Sequence, residues 1–206
     1  DNAHIRLTLT RGVKVTSGMD PRLNTAGPTL IILAEHKEPV YDKTGLSLIT
    51  SSVRRPSPDV LDPKIHHCNL IQSILAKIEA NHAGADDALM LDSRGFVAET
   101  NATHLFIVDD GLVVTSRLVA CPEGITREVV LGLCRDNDIP HEVRDLSLTE
   151  VYRAGEMFCT GTMGELAPVI QVDGRTIGDG EIGPVTRRLA KFFDTCVAAE
   201  AEPVLD

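Results

Sequence analysis

The stretch Ala88–Val108, "ALMLDSRGFVAETNATHLFIV", decides the fold that the sequence predicts. It contains three short apolar runs, and the turn "SRG" at 93–95 separates the first two. A fourth run, "LVVT" at 112–115, follows the turn "DDG" at 109–111. Closely spaced apolar runs joined by glycine-containing turns are typical of antiparallel strands. The sequence therefore predicts a β-meander over residues 87–115.

On the N-terminal side of the meander, the sequence predicts a linker followed by a helix. Residues 54–63, "RRPSPDVLDP", are rich in proline and polar residues, as in segments that connect domains. Four apolar residues after the linker recur at i, i+3, i+4 and i+7 and predict one buried stripe on a helix. These residues are Ile71, Ile74, Leu75 and Ile78. Asp62 and Pro63 suit the cap and the first position of that helix.

Both ends of the chain add further elements. Alternating or continuous apolar residues bounded by glycine and proline predict strands. The predicted strands are 4–10, 29–35, 46–53, 141–146, 156–160 and 167–174. One helix is predicted to begin at Thr126 and another to cover residues 183–197. The sequence thus indicates a mixed α/β fold. Its predicted divisions are a domain of residues 1–53, a linker of residues 54–63 and a larger domain of residues 64–206.

Composition and charge limit the partners of the protein. A formal net charge of −10 argues against binding to nucleic acid or to an anionic membrane surface, since both would repel the chain. No apolar run approaches the length that spans a bilayer, and the first residues do not resemble a signal peptide. The five cysteines are odd in number and form no C-x-x-C pair, which predicts neither a disulfide framework nor a thiolate zinc site. We expect a cytoplasmic protein with reduced thiols.

Two glycine-containing loops are suited to bind an anion. The segment "EGITR" at 123–127 places backbone N–H groups at a helix N-terminus, where the helix dipole favours a phosphate. The segment "CTGTMGE" at 159–165 is a loop of small and hydroxyl residues that follows a strand. A solitary lysine, Lys64, stands at the mouth of the predicted helix. Each feature alone is also compatible with an ordinary turn or surface residue, so their combination carries the argument.

With these motifs in this order, the chain resembles the fold type IV, or class IV, pyridoxal-phosphate-dependent aminotransferases. This family includes branched-chain amino-acid aminotransferase, D-amino-acid aminotransferase and aminodeoxychorismate lyase. The resemblance covers essentially the whole chain. Its most specific segments are "KIHHCNL" (64–70), Ala88–Val108, "GITR" (124–127), "FCTGTMGELAPV" (158–169) and "DGRTIGDGEIGPVTRRL" (173–189). The resemblance implies part of a small N-terminal domain followed by a larger pseudo-barrel α/β domain.

The resemblance implies a role for each matching residue. Lys64 matches the lysine that forms a Schiff base with pyridoxal 5′-phosphate and then transfers protons. Glu99 matches the carboxylate that pairs with the pyridine nitrogen, and a protonated nitrogen lets the ring accept electrons. The phosphate site is matched by the helix N-terminus at Ile125 and Thr126 and by the hydroxyl of Thr162.

On the substrate side, the resemblance places the amides of Thr162 and Met163 near the substrate carboxylate. Arg6 falls where branched-chain members carry a substrate-side arginine, although a strand arginine that faces solvent is an equal interpretation. One departure is Asn69, which stands where branched-chain enzymes commonly have a tyrosine near the phenolic oxygen of the cofactor. The partner of that oxygen is therefore left open.

Metal binding is not expected at the adjacent residues His66, His67 and Cys68. Successive side chains on a helix point in different directions and rarely coordinate one ion. The resemblance also implies a longer protein, because family members carry a preceding segment that completes the small domain and supplies an arginine for the phosphate. Arg127 is expected to point along its helix, away from the phosphate.

The function implied by the resemblance is transfer of an amino group between a branched-chain-like amino acid and a 2-oxo acid such as 2-oxoglutarate. The family arrangement implies a homodimer or a higher homo-oligomer. Alternatives stay open. They are a lyase of the aminodeoxychorismate lyase type, a D-amino-acid or (R)-amine transaminase, a non-catalytic binding protein and a metal-binding module.

Overall fold

The computed structural model describes residues 3–38, 40–41 and 43–202. The chain divides into two compact units, Asp1–Val40 and Tyr41–Asp206. The first unit is a β-hairpin in which β1 (Ala3–Thr10) pairs antiparallel with β2 (Thr29–His36). Both strands confirm the sequence prediction. Their apolar side chains are largely exposed, because a two-stranded sheet has no second layer of its own to cover them.

Within the described residues, the second unit holds a nine-stranded mixed sheet with helices packed on it. Its strands are β3 (Leu46–Thr50), β4 (Asp87–Leu91), β5 (Val97–Thr100), β6 (His104–Asp109), β7 (Leu112–Ser116), β8 (His141–Arg144), β9 (Glu156–Gly161), β10 (Glu165–Val172) and β11 (Arg175–Thr176). Its helices are α1 (Pro58–Leu61), α2 (Ile71–Ala83), α3 (Ile125–Asp136), α4 (Leu148–Arg153) and α5 (Pro184–Glu200). The mixed α/β fold class predicted from the sequence is confirmed.

The strand order is β5-β4-β3-β10-β9-β6-β7-β8, with β11 paired to β10. The predicted meander is therefore wrong at one connection, because β5 and β6 are separated by β4, β3, β10 and β9. A tight turn redirects the chain there. The Thr100 N–H donates to the Thr103 carbonyl (2.8 Å), and the Ala88 N–H donates to the Asn101 side chain (2.7 Å). These turn hydrogen bonds thus direct β6 away from β5, although the two strands follow one another in the sequence.

The first predicted domain boundary also differs from the structure. β3 pairs parallel with both β4 and β10, so it lies inside the large sheet and not with the N-terminal hairpin. Leu46 and Leu48 are buried in the large core, since a strand with neighbours on both edges and cover on its faces loses its solvent contact. The units divide near residue 40, whereas the sequence predicted a linker at 54–63.

The core lies on both faces of the sheet. Successive residues of β6 alternate between two apolar clusters, since neighbouring side chains of a strand point to opposite faces. Leu105 and Ile107 belong to one cluster, and Phe106 and Val108 to the cluster beneath α3 and α5. Phe106 stacks on Phe158 of β9, with ring centroids 5.0 Å apart. These strands hold the start of β6 and the end of β9 side by side.

The helix after the linker begins later and faces differently than predicted. α2 starts at Ile71, and Asp62 ends α1 instead of capping α2. The small side chains Ala76 and Ala80 form the buried face and pack against Ala88 and Met90 of β4. Polar contacts fix this orientation. Ser51 donates to Glu79 (2.6 Å), and the Lys77 amine lies 3.2 Å from Asp87.

The apolar stripe of α2, formed by Ile71, Ile74, Leu75 and Ile78, is therefore exposed, with each residue between 43% and 54% accessible. The prediction that this stripe is buried within the chain is wrong. The predicted helical spacing is confirmed, because α2 spans all four residues. Spacing alone does not reveal which face of a helix meets the sheet.

The N-terminus of α5 is capped from a distant strand. Its N-cap, Gly183, offers no side chain, and the Glu156 carboxylate of β9 accepts hydrogen bonds from the N–H groups of Val185 (3.0 Å) and Thr186 (2.7 Å). A Cβ atom on Gly183 would lie 2.0 Å from the Glu156 side chain. The glycine thus makes room for a carboxylate that satisfies unpaired donors and matches the helix dipole.

We expect Glu156→Ala to lower the free energy of unfolding by about 1–2 kcal/mol, because it leaves helix-terminal N–H groups without their acceptor. Urea unfolding followed by circular dichroism measures this change. Glu142→Ala is the control, since it removes only an exposed ion pair with Arg144 and is expected to cost less than about 1 kcal/mol. Equal losses in the two variants would contradict the capping role.

Candidate active site

A cavity of about 260 Å³ lies in the second unit, between the segment that leads into α2 and the turn after β5. Its walls include Arg55, Pro56, Glu99, Asn101, Ala102, Pro122 and side chains between Pro63 and Ser73. Ligand pockets are typically about 300 Å³ or larger, so this cavity suits a compact group such as a single ring.

Glu99 is the buried carboxylate of this cavity. It lies on β5 opposite Met90 of β4 and is 3% exposed. Its Oε1 atom lies 2.6 Å from Nη2 of Arg55, yet makes no hydrogen bond within the described residues. Burial raises the pKa of Glu99 to about 8, and the positive charge of Arg55 acts in the opposite direction. The cavity therefore contains a carboxylate that would be stabilised by a second cation or a donor.

Arg55 connects three parts of the cavity wall. Its guanidinium donates to the Ser73 hydroxyl of α2 and to the Thr100 carbonyl after Glu99, both at 3.2 Å. Its backbone N–H donates to the Leu91 carbonyl of β4 (2.9 Å). Arginine suits such a site because its planar head makes several hydrogen bonds at fixed angles. Sequence reasoning missed Arg55, since it treated "RRPSP" as linker, and an arginine beside proline gives no signal of burial.

The N-terminus of α3 lies beside the start of β6. Gly124 is the N-cap, has extended backbone and offers no side-chain cap, so the first N–H groups of α3 have no cap within the described residues. A Cβ atom on Gly124 would lie 2.3 Å from the His104 ring, so only glycine permits this approach. Burial lowers the pKa of His104 to about 4, and the charges of Arg127 and Arg55 act in the same direction. His104 is therefore neutral at physiological pH.

The turn after β9 lies near this helix end. His104 pairs in register with Thr160, and Gly161 follows against the Thr103 side chain. Thr162 is exposed in the turn that continues from Gly161. This arrangement brings the "GITR" and "TGTMG" segments to the same end of β6 and β9. Arg127 does not point away along its helix: it is buried and donates to the Ser116 carbonyl (3.0 Å).

The other predicted site residues do not line the cavity. Lys64 is exposed in the turn between α1 and α2, and its backbone N–H donates to the Asp62 side chain (3.0 Å). Ile125, Thr126, Thr162 and Met163 lie outside the cavity wall. Arg6 is exposed on β1 in the first unit, opposite Leu33.

Lys64 is nonetheless close to this region. Burial raises the pKa of the Cys121 thiol to about 12, and the nearby charge of Lys64 is among the influences that lower it. The wall itself carries His66, two residues further along the chain, together with His67 and Asn69. Sequence reasoning considered His66 only as a metal ligand. The sequence signal for a site role of His66 was its place as a polar residue in a turn that follows Pro63.

Neither a metal site nor a membrane-spanning helix is found among the described residues. Among the described residues, no group of three or more His, Cys, Asp or Glu side chains is arranged to hold a metal ion. No described helix combines the length with the hydrophobicity that crossing a lipid bilayer requires.

The chain belongs to the class IV aminotransferase family, whose model matches residues 1–172. It is 53% identical over 205 residues to branched-chain-amino-acid aminotransferase-like protein 2 of Arabidopsis thaliana, covering 99% of this chain and 37% of that protein. It is 40% identical over 193 residues to a putative branched-chain-amino-acid aminotransferase of Methanocaldococcus jannaschii, covering 93% of this chain and 66% of that protein. The chain thus spans less than two thirds of the length of these relatives.

Solved structures of the same family share the fold. The branched-chain amino acid aminotransferase of Thermobaculum terrenum, solved in its PLP form, matches with a TM-score of 0.86 and 29% identity. That match covers 97% of this chain and 65% of the other. The Escherichia coli branched-chain enzyme matches with a TM-score of 0.89 and 29% identity, over 98% of this chain and 68% of the other. These findings confirm the predicted family.

We expect the free energy of unfolding of the cofactor-free protein to fall as pH rises from about 5 to about 8. The pKa of Glu99 is raised from 4.5 to about 8 in the folded chain, so over this range the folded chain retains a proton that the unfolded chain has released. Glu99→Gln should flatten the slope. The measurement is urea unfolding at a series of pH values.

The control for this experiment is Glu128→Gln on the exposed surface of α3. His104 contributes with the opposite sign, since its lowered pKa stabilises the folded chain as pH rises towards its ordinary value, but both variants retain it. Parallel curves for the wild type and Glu99→Gln would show that the Glu99 carboxyl does not retain its proton.

Proposed function

We propose that the protein containing this chain is a pyridoxal-phosphate-dependent aminotransferase. It transfers an amino group between a branched-chain amino acid and a 2-oxo acid such as 2-oxoglutarate. The observation that carries the proposal is Glu99, a buried carboxylate that lines a ring-sized cavity and has an oxygen that is ion-paired with Arg55 but makes no hydrogen bond among the described residues. Membership of the class IV family supports it, as do relatives named for branched-chain aminotransferase activity.

The residues at the cavity fit the ring of pyridoxal phosphate. Glu99 would pair with the protonated ring nitrogen, and the new positive charge would join Arg55 in favouring the ionised carboxylate. The N-terminus of α3 at Ile125 and Thr126, together with the Thr162 hydroxyl, would hold the phosphate. When bound, the cofactor supplies an electron sink for the negative charge that develops at the substrate Cα.

Arg55 keeps Glu99 positioned for this task. It bridges Ser73 of α2 and the backbone at Thr100, so the guanidinium beside the carboxylate is held in place by two elements. His104, which is neutral, packs against Gly124 at the start of α3. Because this ring is neutral, an anion would be held by the helix dipole and the backbone N–H groups. The ring adds no titrating charge at the site.

For the substrate, we propose the same binding residues that the sequence predicted. The turn amides of Thr162 and Met163 would receive the substrate carboxylate, because consecutive backbone N–H groups in a small-residue turn form an anion site. Arg6, on β1 of the first unit, is kept as a proposed substrate-side residue on the resemblance alone. Apolar wall residues such as Ile65 and Leu70 would exclude water from the reacting atoms.

We expect the full-length protein to form glutamate from L-leucine and 2-oxoglutarate. Glu99→Gln should slow this transfer by roughly 10²-fold or more, because the ring nitrogen loses the charge that stabilises the transition state. Glutamate release in a coupled assay measures the rate, and Glu128→Gln is the matched control. An equal rate in Glu99→Gln would contradict the role of this carboxylate.

The same assay separates the alternative activities. D-Alanine or an (R)-amine as the preferred donor would indicate a transaminase of opposite handedness. Pyruvate formation from aminodeoxychorismate, without nitrogen transfer, would indicate a lyase. The compared relatives bear branched-chain aminotransferase names, and this favours the first activity.

We also propose that the protein assembles as a homodimer through the apolar stripe of α2. An exposed apolar surface of neighbouring isoleucine and leucine side chains is stabilised when another surface covers it. Ile65 and Leu70, which precede the helix, are exposed next to the stripe and line the cavity. A partner at this face would therefore adjoin the site.

We expect Ile74→Asp to raise the dimer dissociation constant at least about tenfold, because it places a charge in the apolar contact. Sedimentation velocity over a concentration series measures it. Val197→Asp on α5 is the control, since Val197 is exposed to a similar extent on another helix. A monomeric wild type, or equal effects of the two substitutions, would contradict this interface.

We propose the cytoplasm as the location of the protein. All five cysteines are free thiols, including the exposed Cys68. Thiols of this kind persist in a reducing compartment. The net charge of −10 agrees with a protein that binds neither nucleic acid nor an anionic membrane surface.

A further inference from the structure

We infer that Tyr41 is a positioning residue for the β9–β10 turn (residues 161–165). It holds the backbone amides of Thr162 and Met163 in the arrangement that receives the substrate carboxylate. The inference rests on the proposed function, because the substrates of an aminotransferase supply the carboxylate that this turn would bind. Tyr41 does not line the cavity, so it acts through the turn and not on the reacting atoms.

The ring of Tyr41 packs directly against Gly164, the residue of this turn that follows Met163. Gly164 is buried, and a Cβ atom on it would lie 2.3 Å from Cδ2 of Tyr41, which is closer than van der Waals contact allows. The φ angle of Gly164 lies outside the left-handed region, so its backbone would accept an ordinary side chain. The tyrosine ring, and not the backbone conformation, therefore requires glycine at this position.

The next residue of the turn has a backbone conformation that needs support. Glu165 has a φ angle of 53°, in the left-handed region that a glutamate rarely adopts. Such a conformation persists only where the surrounding structure holds it. The Lys43 amine donates to the Glu165 carboxylate (2.5 Å), but this ion pair is exposed and contributes little. The packed ring of Tyr41 is therefore the main support of the turn.

The hydroxyl of Tyr41 fixes the ring to the large sheet. It donates to Oδ2 of Asp87 (2.6 Å), a buried residue at the start of β4. The Lys77 amine of α2 donates to Oδ1 of the same carboxylate (3.2 Å). Asp87 is thus held by a cation on one oxygen while its other oxygen accepts the tyrosine proton. Tyr41 therefore connects the turn to a strand with neighbours on both edges.

A turn that is held in one conformation binds an anion more tightly than a turn that must first be ordered. Two backbone N–H groups have to point at one carboxylate, and a preorganised turn loses no further entropy when it binds. The amino acid and the 2-oxo acid each carry a carboxylate beside the reacting carbon. Release of the turn is therefore expected to weaken the binding of both substrates. Because this contact is made in the ground state and the transition state alike, its loss raises KM and leaves kcat nearly unchanged.

The first test is the steady-state kinetics of the full-length protein with L-leucine and 2-oxoglutarate at saturating pyridoxal phosphate. Tyr41→Ala should raise the KM for both substrates at least about tenfold and change kcat by less than about threefold. Tyr41→Phe keeps the ring and should stay within about threefold of the wild-type KM. Tyr152→Ala is the matched control, because Tyr152 also donates to an aspartate, Asp173 (2.7 Å), which follows the other end of β10. It should leave both KM values within about twofold of the wild type.

Gly164→Ala tests the contact itself, since only the Tyr41 ring opposes the added methyl group. With Tyr41 present, it should raise both KM values at least about tenfold. The double variant of Tyr41→Ala and Gly164→Ala should bind no more weakly than Tyr41→Ala alone, because the methyl group then meets no ring. Gly132→Ala on α3 is the control, as its added Cβ atom would meet no listed neighbour nearer than 3.7 Å.

Hydrogen exchange followed by mass spectrometry gives a second result, which does not depend on activity. Peptides that cover residues 161–165 should exchange at least about tenfold faster in Tyr41→Ala than in the wild type or in Tyr152→Ala. Equal exchange in the three proteins overturns the inference and leaves the proposed aminotransferase intact. Multiplication of the two KM effects in the double variant does the same. A wild type that transfers no amino group overturns both.

Discussion

The contact between Arg55 and Glu99 supports the rest of the site. A carboxyl group buried beside a guanidinium is stable only when both groups are held in position, since the energy lost by desolvation is large. Here the guanidinium also contacts α2 at Ser73 and the backbone at Thr100, while its own backbone joins β4. One side chain thus fixes the linker, the helix and the strand that together enclose the cavity.

The strand order determines which segments can meet at this place. β3 lies between β4 and β10 in parallel, so the chain that leaves β3 emerges where Arg55 can reach the end of β5. β6 and β9 pair antiparallel, and the start of one therefore lies beside the end of the other. This pairing brings His104, Gly124 and the turn of Thr162 to one end of the sheet. The order of strand pairing thus brings together residues that are far apart in the sequence.

The sequence predicted most strands, the helices α3 and α5 and the mixed fold class. It could do so because alternation, glycine turns and helical spacing are local signals, as at β6 and α5. The face of α2 was not predictable, because burial depends on Ala88 and Met90 in a partner strand and not on the four residues of the stripe. The place of β3 in the large sheet was likewise not predictable from local signals, because β3 pairs with β4 and β10, which lie far from it in the sequence.

The positions of candidate site residues were predictable where a motif lies on a regular element. Glu99 on β5 and the start of α3 are held by strand register and helix geometry. Lys64 lies in an irregular turn, where residues only one or two positions apart differ in whether they line the cavity. Arg55 gave no signal, because its burial arises only from the strand and helix that close over it.

The alanine face of α2 has a consequence for the shape of the cavity. Ala76 and Ala80 let the helix backbone come close to Ala88 and Met90, so the small side chains on the helix limit the spacing between helix and sheet. Any larger side chain at these positions would move the helix outward. Ser73 would move with it, and the hydroxyl would leave the Arg55 guanidinium. The width of a ligand cavity is thus governed by residues that never touch the ligand.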